Sequence, residues 1–308
     1  MRDGLPFEAF CQQFDSDQAC AEALFQARWP DGFRCPSCSY PHYYLIRSRR
    51  LPLYQCQACR HQTSVISGTV MEGSRTPLPQ WFQAIYLLSQ PEGISATRLA
   101  EIIHVTYKTA WLIAHKIRNS MRKADADELL KGHVRVERVD YGYHHYGDAR
   151  QPLLIGGSID ASSKLRHVKI KQPHPDHVQN DSRFIREEGI RSFENEHLDR
   201  KAVTVIGRAS NMFAPLRQMA RRIFSWLNDT FQGIGAKHLQ AYLDEYGFRT
   251  NLKLRGIAVF NRLIHWCAIT KKIMYKEIIR SKPVLPVPWV VWGGKAKWRG
   301  RHLSLWNT

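Results

Sequence analysis

Cys35-Pro36-Ser37-Cys38 is followed, after seventeen residues, by Cys56-Gln57-Ala58-Cys59. Two Cys-x-x-Cys pairs at this separation supply four thiolates that can converge tetrahedrally on one Zn²⁺, each pair on a tight turn with a hairpin between them. The spacing predicts a zinc ribbon whose structural Zn²⁺ is held by Cys35, Cys38, Cys56 and Cys59. A closed site of this kind contributes roughly 10–16 kcal/mol of apparent binding free energy to folding, so a segment with little core of its own can be ordered by it. The hairpin carries Arg47, Arg49, Arg50 and Arg60, interleaved with Tyr43, Tyr44 and Tyr54. Base and aromatic on one small module suit a phosphate backbone, and the same pattern also describes a solvated basic face or a protein-binding ribbon.

At 308 residues the chain can bury a substantial core and divides into two or three domains. No apolar run is long enough to span a bilayer and residues 1–10 lack a secretory pattern, so the expectation is a cytoplasmic, nucleoid-associated protein with no membrane partner. Cys11, Cys20 and Cys267 sit in apolar surroundings and read as small core residues in a reducing compartment. The net charge of +18 calls for a polyanionic partner, nucleic acid first. From Asn251 to Thr308, twelve Lys or Arg stand against the single acid Glu277, so this stretch alone supplies +11.

Leu5 to Arg28 reads as short helices leaning on the ribbon, and Trp81 to Leu88 as an apolar helix. Ser95 can cap a helix through Ile103, after which a turn leads into a second helix from Thr109 to Met121. That is a helix-turn-helix pattern, although any helical hairpin can share its apolar spacing. Its second helix is expected to face outward with Lys108, Thr109, Trp111, His115, Lys116 and Arg118, residues able to reach base edges or phosphates in double-stranded DNA. Beyond an acidic connector the period changes to two. Val134 to Glu137, Leu153 to Ile159 and Leu165 to Ile170 predict a three-stranded meander, and Ala202 to Ile206 a further short strand. Helices are expected over Asp176 to Glu188, Met212 to Leu227 and Ala236 to Phe248, with a helix pair from Ala258 to Ile279. The fold class is therefore multi-domain α+β, divided as 1–70 (helical lead and ribbon), 71–124 (helix-turn-helix), 130–250 (an α/β domain) and 251–308 (a basic, aromatic tail). The adjacent His144 and His145, and His174 with His177, read as polar loops rather than ligands. The Lys295 to Arg301 run reads equally as a DNA-contacting tail or a solvated end.

Several stretches resemble one family: Arg28-Trp29-Pro30-Asp31-Gly32-Phe33-Arg34-Cys35-Pro36, Tyr54-Gln55-Cys56, Gln62-Thr63-Ser64, Gly68-Thr69, Pro77-Leu78-Pro79-Gln80-Trp81-Phe82 and Lys108-Thr109-Ala110-Trp111. Together they resemble bacterial insertion-sequence transposases that join a zinc ribbon and a helix-turn-helix to a DDE catalytic domain of ribonuclease H-like fold. Lys237 to Gln240 and Tyr242 to Glu245 are similar to that family's closing helix. The resemblance implies DNA transposition, the element's terminal repeats as DNA partner, a possible homo-oligomer, and three carboxylates holding two Mg²⁺ ions. Here the first acid maps to Glu137 where the family has Asp, with Asp140 as the fallback. The second maps to Gly207-Arg208, where no acid stands, and the stretch before the third is shortened. Mg²⁺ is expected only if a catalytic site survives, which Asp160 or Asp229 could complete in a displaced triad. The function expected from sequence is a transposase-like DNA-binding protein with impaired catalysis; the alternative is a non-catalytic regulator or remnant of such an enzyme.

Overall fold

The computed structural model describes residues 5–142, 150–179, 182–207, 212–280 and 283–285, with the backbone of 290–291 and 297–298. His144, His145 and Arg208 lie outside the described residues, as does the Lys295–Arg301 run apart from the pairing of Val290–Val291 with Lys297–Trp298. The chain is mixed α and β and forms two compact units. The sequence placed 251–308 in a separate tail; in the structure Ile257–Ile278 joins Met1–Lys123 in the first unit, and Ala124–Gly256 with Ile279–Thr308 makes the second.

In the first unit, α1 (Phe7–Gln13) and α2 (Asp17–Arg28) precede a three-stranded antiparallel sheet of β1 (Tyr43–Ile46), β2 (Leu53–Cys56) and β3 (Gln62–Ser64). Ser16 caps α2 by accepting the Ala19 N–H, so the chain starts its helix where the sequence offered a capping residue. Then come α3 (Leu78–Ser89), α4 (Ala96–Ile102) and α5 (Tyr107–Ala126). The last elements, α9 (Val259–Ile269) and α10 (Tyr275–Ile279), return to this unit from the far end of the sequence. Phe260 of α9 meets Phe10 edge to face with centroids 5.2 Å apart, the His265 ring nitrogen lies 2.7 Å from the Ala27 carbonyl, and the Val70 N–H donates to the Cys267 carbonyl. Cys20 and Cys267 are fully buried and their thiols are pushed up to about 12 by that burial, which suits the core role expected of them.

The second unit is built on a four-stranded sheet in the order β6-β5-β4-β7, from β4 (His133–Tyr141), β5 (Gln151–Ile159), β6 (Leu165–Lys171) and β7 (Val203–Ile206). The first three strands form an antiparallel meander, whereas β7 runs parallel to β4 with Val134 opposite Thr204. A parallel partner cannot follow by a tight turn, so the chain crosses over through α6 (Glu187–His197) before laying β7 down. The helix expected over Asp176 to Glu188 is instead a single 3₁₀ turn at Pro175–His177, with α6 starting only at Glu187. Pro175 lies in that turn, and beyond it Val178 pairs with Ile185 while the Gln179 N–H donates to the Phe184 carbonyl, a return of the chain in place of a helix.

Both faces of the sheet are covered. Val134, Val136 and Leu154 pack with Ile190 and Phe193 of α6 on one face, while Leu153, Ile155, Val168 and Ile170 pack with α7 (Ala214–Phe231) and α8 (Ala236–Leu254) on the other. Gly156 and Gly157 make room for this, since a Cβ at the first would strike Phe193 and at the second Leu216. The outer edge of β6 is closed by side chains of α8 in place of a fifth strand. Gln240 accepts the Gln172 N–H at 2.8 Å and donates to the Ile170 carbonyl at 3.0 Å; Asn251 does the same for both backbone groups of Val168, at 2.8 and 3.0 Å.

Candidate functional site

The two cysteine turns have the same construction. Ser39 donates its N–H to the Cys35 carbonyl and Arg60 to the Cys56 carbonyl, and both residues adopt positive φ, 63° and 61°. The Cys35 and Cys56 N–H groups in turn donate to the carbonyls of Tyr40 and His61. Each turn thus points two sulfurs inward, and the four sulfurs lie within 4.8 Å of one another. Cys35 to Cys59 and Cys38 to Cys56 are both 3.6 Å apart, close to the edge of about 3.8 Å for a tetrahedron with Zn–S bonds of about 2.3 Å. The residues fit a structural zinc. Burial opposes the Cys56 thiolate, yet the N–H groups of Cys59 and Ala58 bring its pKa down to about 7. At Cys38 the Tyr40 N–H favours the thiolate, but the facing thiols outweigh it and push the value up to about 12.

Beneath the ribbon, Phe25 and Trp29 of the helical lead pack against Tyr54 with centroids 5.0 and 5.7 Å away, and Phe33 lies against Tyr43. Tyr54, expected on the basic face, is therefore core: it is buried, and its hydroxyl is pushed up to about 12 by desolvation. Tyr44 remains exposed. Arg47, Arg49 and Arg50 are exposed on the β1–β2 loop, and Arg50 pairs with Asp17 at 2.6 Å, tying the loop to the start of α2.

The α4–α5 hairpin forms where the sequence placed it. Ser95 accepts the Arg98 N–H, His104 takes positive φ in the turn, and Thr106 accepts the Thr109 N–H as α5 begins. Tyr107 and Lys108 are exposed and Thr109 is half-buried. Further along α5 the expected outward face does not hold. His115 and Arg118 are buried, the latter only 2% exposed, and the half-buried Lys116 ammonium sits over the Trp81 ring, 5.8 Å from its centroid. Desolvation and the nearby Lys272 lower the Lys116 pKa. The helix is wrapped on more sides than its apolar period indicated, and at its start α10 adds cover that a local sequence pattern does not contain. Tyr275 of α10 meets Trp111 with centroids 6.2 Å apart and lies under the Lys108 ammonium at 5.3 Å. Sequence reasoning missed this neighbour; only the charge excess of the last stretch hinted at a role for it.

Glu137 leaves β4 on the side of α7 and is 1% exposed. Its Oε1 accepts the N–H of Phe213, the residue capping α7, at 2.8 Å, and a Cβ on Gly207 would overlap its carboxylate. A strand carboxylate here does what a capping-box glutamate does from inside a helix. Desolvation raises its pKa, partly opposed by the Phe213 N–H and by Arg135 and Arg217. Glu137 and Asp140 both line a cavity of 220 Å³ with Arg138, Arg183 and Phe184, but alternation along the strand turns Asp140 toward the α6 face. The displaced triad does not assemble from the other candidates. Asp160 accepts the Ser162 and Lys164 N–H groups at the β5–β6 turn and pairs with Arg166, and Asp229 is exposed on α7. Among the described residues the four cysteines are the only His, Cys, Asp or Glu group of three or more that converges as metal ligands. His174, His177 and His197 edge a second cavity of 370 Å³ without forming such a group.

Residues 15–62 match the transposase zinc-ribbon domain. A protein of Halobacterium salinarum, described as an uncharacterized protein in transposable element ISH50, is 32% identical over 126 residues, which is 40% of this chain and 42% of that protein. The chain thus matches less than half the length of that relative. No solved structure matches. The matches give residues 15–62 as a transposase-type zinc ribbon and make part of the chain similar to a protein of a transposable element.

Proposed function

We propose that this protein binds double-stranded DNA through its first unit, as an insertion-sequence transposase does, and that its second unit is a ribonuclease H-like domain whose strand-transfer chemistry is impaired. The observation that carries the reading is a transposase-type ribbon in the same unit as a Ser95-capped helix pair with a turn of four residues, whose second helix offers exposed Tyr107 and Lys108 in its first turn. The antiparallel meander followed by a parallel strand, with helices on both faces, supports the ribonuclease H-like assignment. Impairment is supported by Glu137. Its carboxylate is committed to the Phe213 N–H and packed against Gly207, in a pocket that the nearby Arg135 and Arg217 make unfavourable for Mg²⁺. The terminal repeats of the element are the expected target, and no described helix is long and apolar enough to cross a membrane.

A gel-shift titration of the zinc-loaded full chain tests the binding. Duplexes carrying the element's ends should be retarded, and Lys108→Ala with Thr109→Ala should weaken binding and flatten the dependence on log salt by roughly one unit per lost phosphate contact. Unchanged binding by that variant would reject the helix-turn-helix reading.

A further inference from the structure

The charge excess of the C-terminal stretch acquires a position through α9 and α10. These helices fold into the first unit, and the link between them, with the start of α10, lands beside the first turn of α5. Contact is made by Tyr275, which touches Trp111 and carries the Lys108 ammonium over its ring. Around that point the surface is basic and aromatic. Lys271, Lys272, Lys276 and Lys108 are exposed, as are Tyr107 at 58%, Met274 at 56% and Tyr275 at 39%. Lys272 is engaged with Glu72 at 2.6 Å. The one acid of the segment, Glu277, turns its carboxylate back to accept the Met274 N–H. Lys271 and Lys276 make no ion pair among the described residues and flank Tyr275, the residue under Lys108, along the chain.

We infer that Lys271, Tyr275 and Lys276 complete the DNA-binding face, with the first turn of α5 addressing a groove and the α9–α10 segment resting on flanking phosphates. The inference builds on the proposed DNA binding and adds a second, sequence-distant element to it. A duplex backbone is the partner that matches this chemistry: a row of ammonium groups meets its regular phosphates, and releasing the condensed counterions drives association. Tyr275 also fixes where Lys108 sits through a cation–π contact, so the two segments act on one ligand together.

The test compares the full zinc-loaded chain with Lys271→Ala/Lys276→Ala and, separately, with Lys108→Ala/Thr109→Ala, titrated against one mixed-sequence DNA duplex over a range of salt. The lysine pair is exposed, so zinc content and thermal midpoint should stay at the parent values. Its removal should cut affinity about tenfold at low salt and reduce the log–log salt slope by about 1.8, or 0.9 per phosphate. An unchanged slope for that pair, alongside weakened binding by the α5 variant, would overturn the inference and leave the functional reading standing. Failure of the parent chain to bind duplex DNA at all would overturn both.

Discussion

Glu137, which the family resemblance aligns with a catalytic acid, does the work of a helix cap. Because burial raises its carboxyl pKa, the folded state favours the protonated form. Stability from this group is fully present below the unfolded value near 4.5 and declines as pH rises toward the higher folded value. Glu137→Gln keeps an acceptor for Phe213 without the charge, so at pH 7 it should match or exceed the parent in thermal midpoint. Glu137→Ala, which leaves the Phe213 N–H unserved, should cost about 1–2 kcal/mol in denaturant titrations. The glutamine variant should also leave end cleavage of labelled DNA with Mn²⁺ at the parent's background level; specific nicking by the parent that this variant abolishes would restore Glu137 as a ligand. Sequence alone showed that an acid stood on this strand. It could not show the acid's partner, since Phe213 is 76 residues away and offers only a backbone N–H.

At the scale of elements, legibility followed how local the determinant was. The two cysteine turns, the Ser95 cap and the α4–α5 hairpin each rest on residues within a few positions, and all were readable. The face of α5 was not, because Arg118 and His115 are covered by tertiary neighbours, and over Asp176 to Glu188 a single 3₁₀ turn and the Val178–Ile185 bridge stand where a helix was expected. The ribbon is the most self-contained element, and its order should depend on metal. Elemental analysis should find one zinc per chain. Cys56→Ser should lose it and expose the Phe25–Trp29–Tyr54 cluster, visible as a shift in tryptophan emission; retention of zinc with unchanged emission would refute the assignment.

For the whole molecule, acid sensitivity should arise from half-buried imidazoles in the second unit. His167 and His197 are both lowered to about 4, first by burial; His167 is also opposed by Lys169, and His197 by Lys171 and Lys169. A lowered folded value means that the unfolded chain takes up the proton first. Their contribution is complete above about 6.5 and is lost as pH falls from there toward 4, at most on the order of 2–3 kcal/mol for each. The denaturant midpoint should fall across that window, and His197→Gln should flatten the fall; a midpoint constant from pH 7 to 4.5 would contradict it.

The return of Ile257–Ile278 to the first unit sets the order in which the protein can be made. On the ribosome, the N-terminal helices emerge with the surface destined for Phe260 and Cys267 still uncovered. The next stretch, Ala124–Gly256, supplies the whole sheet and its covering helices without interruption. At roughly 5–20 residues per second the first unit waits on the order of ten seconds or more for its last two helices. The first unit therefore cannot close until the sheet has been made, the second then receives Ile279–Thr308 with the core residue Leu285, and a chain terminated near Gly256 would release its first unit open.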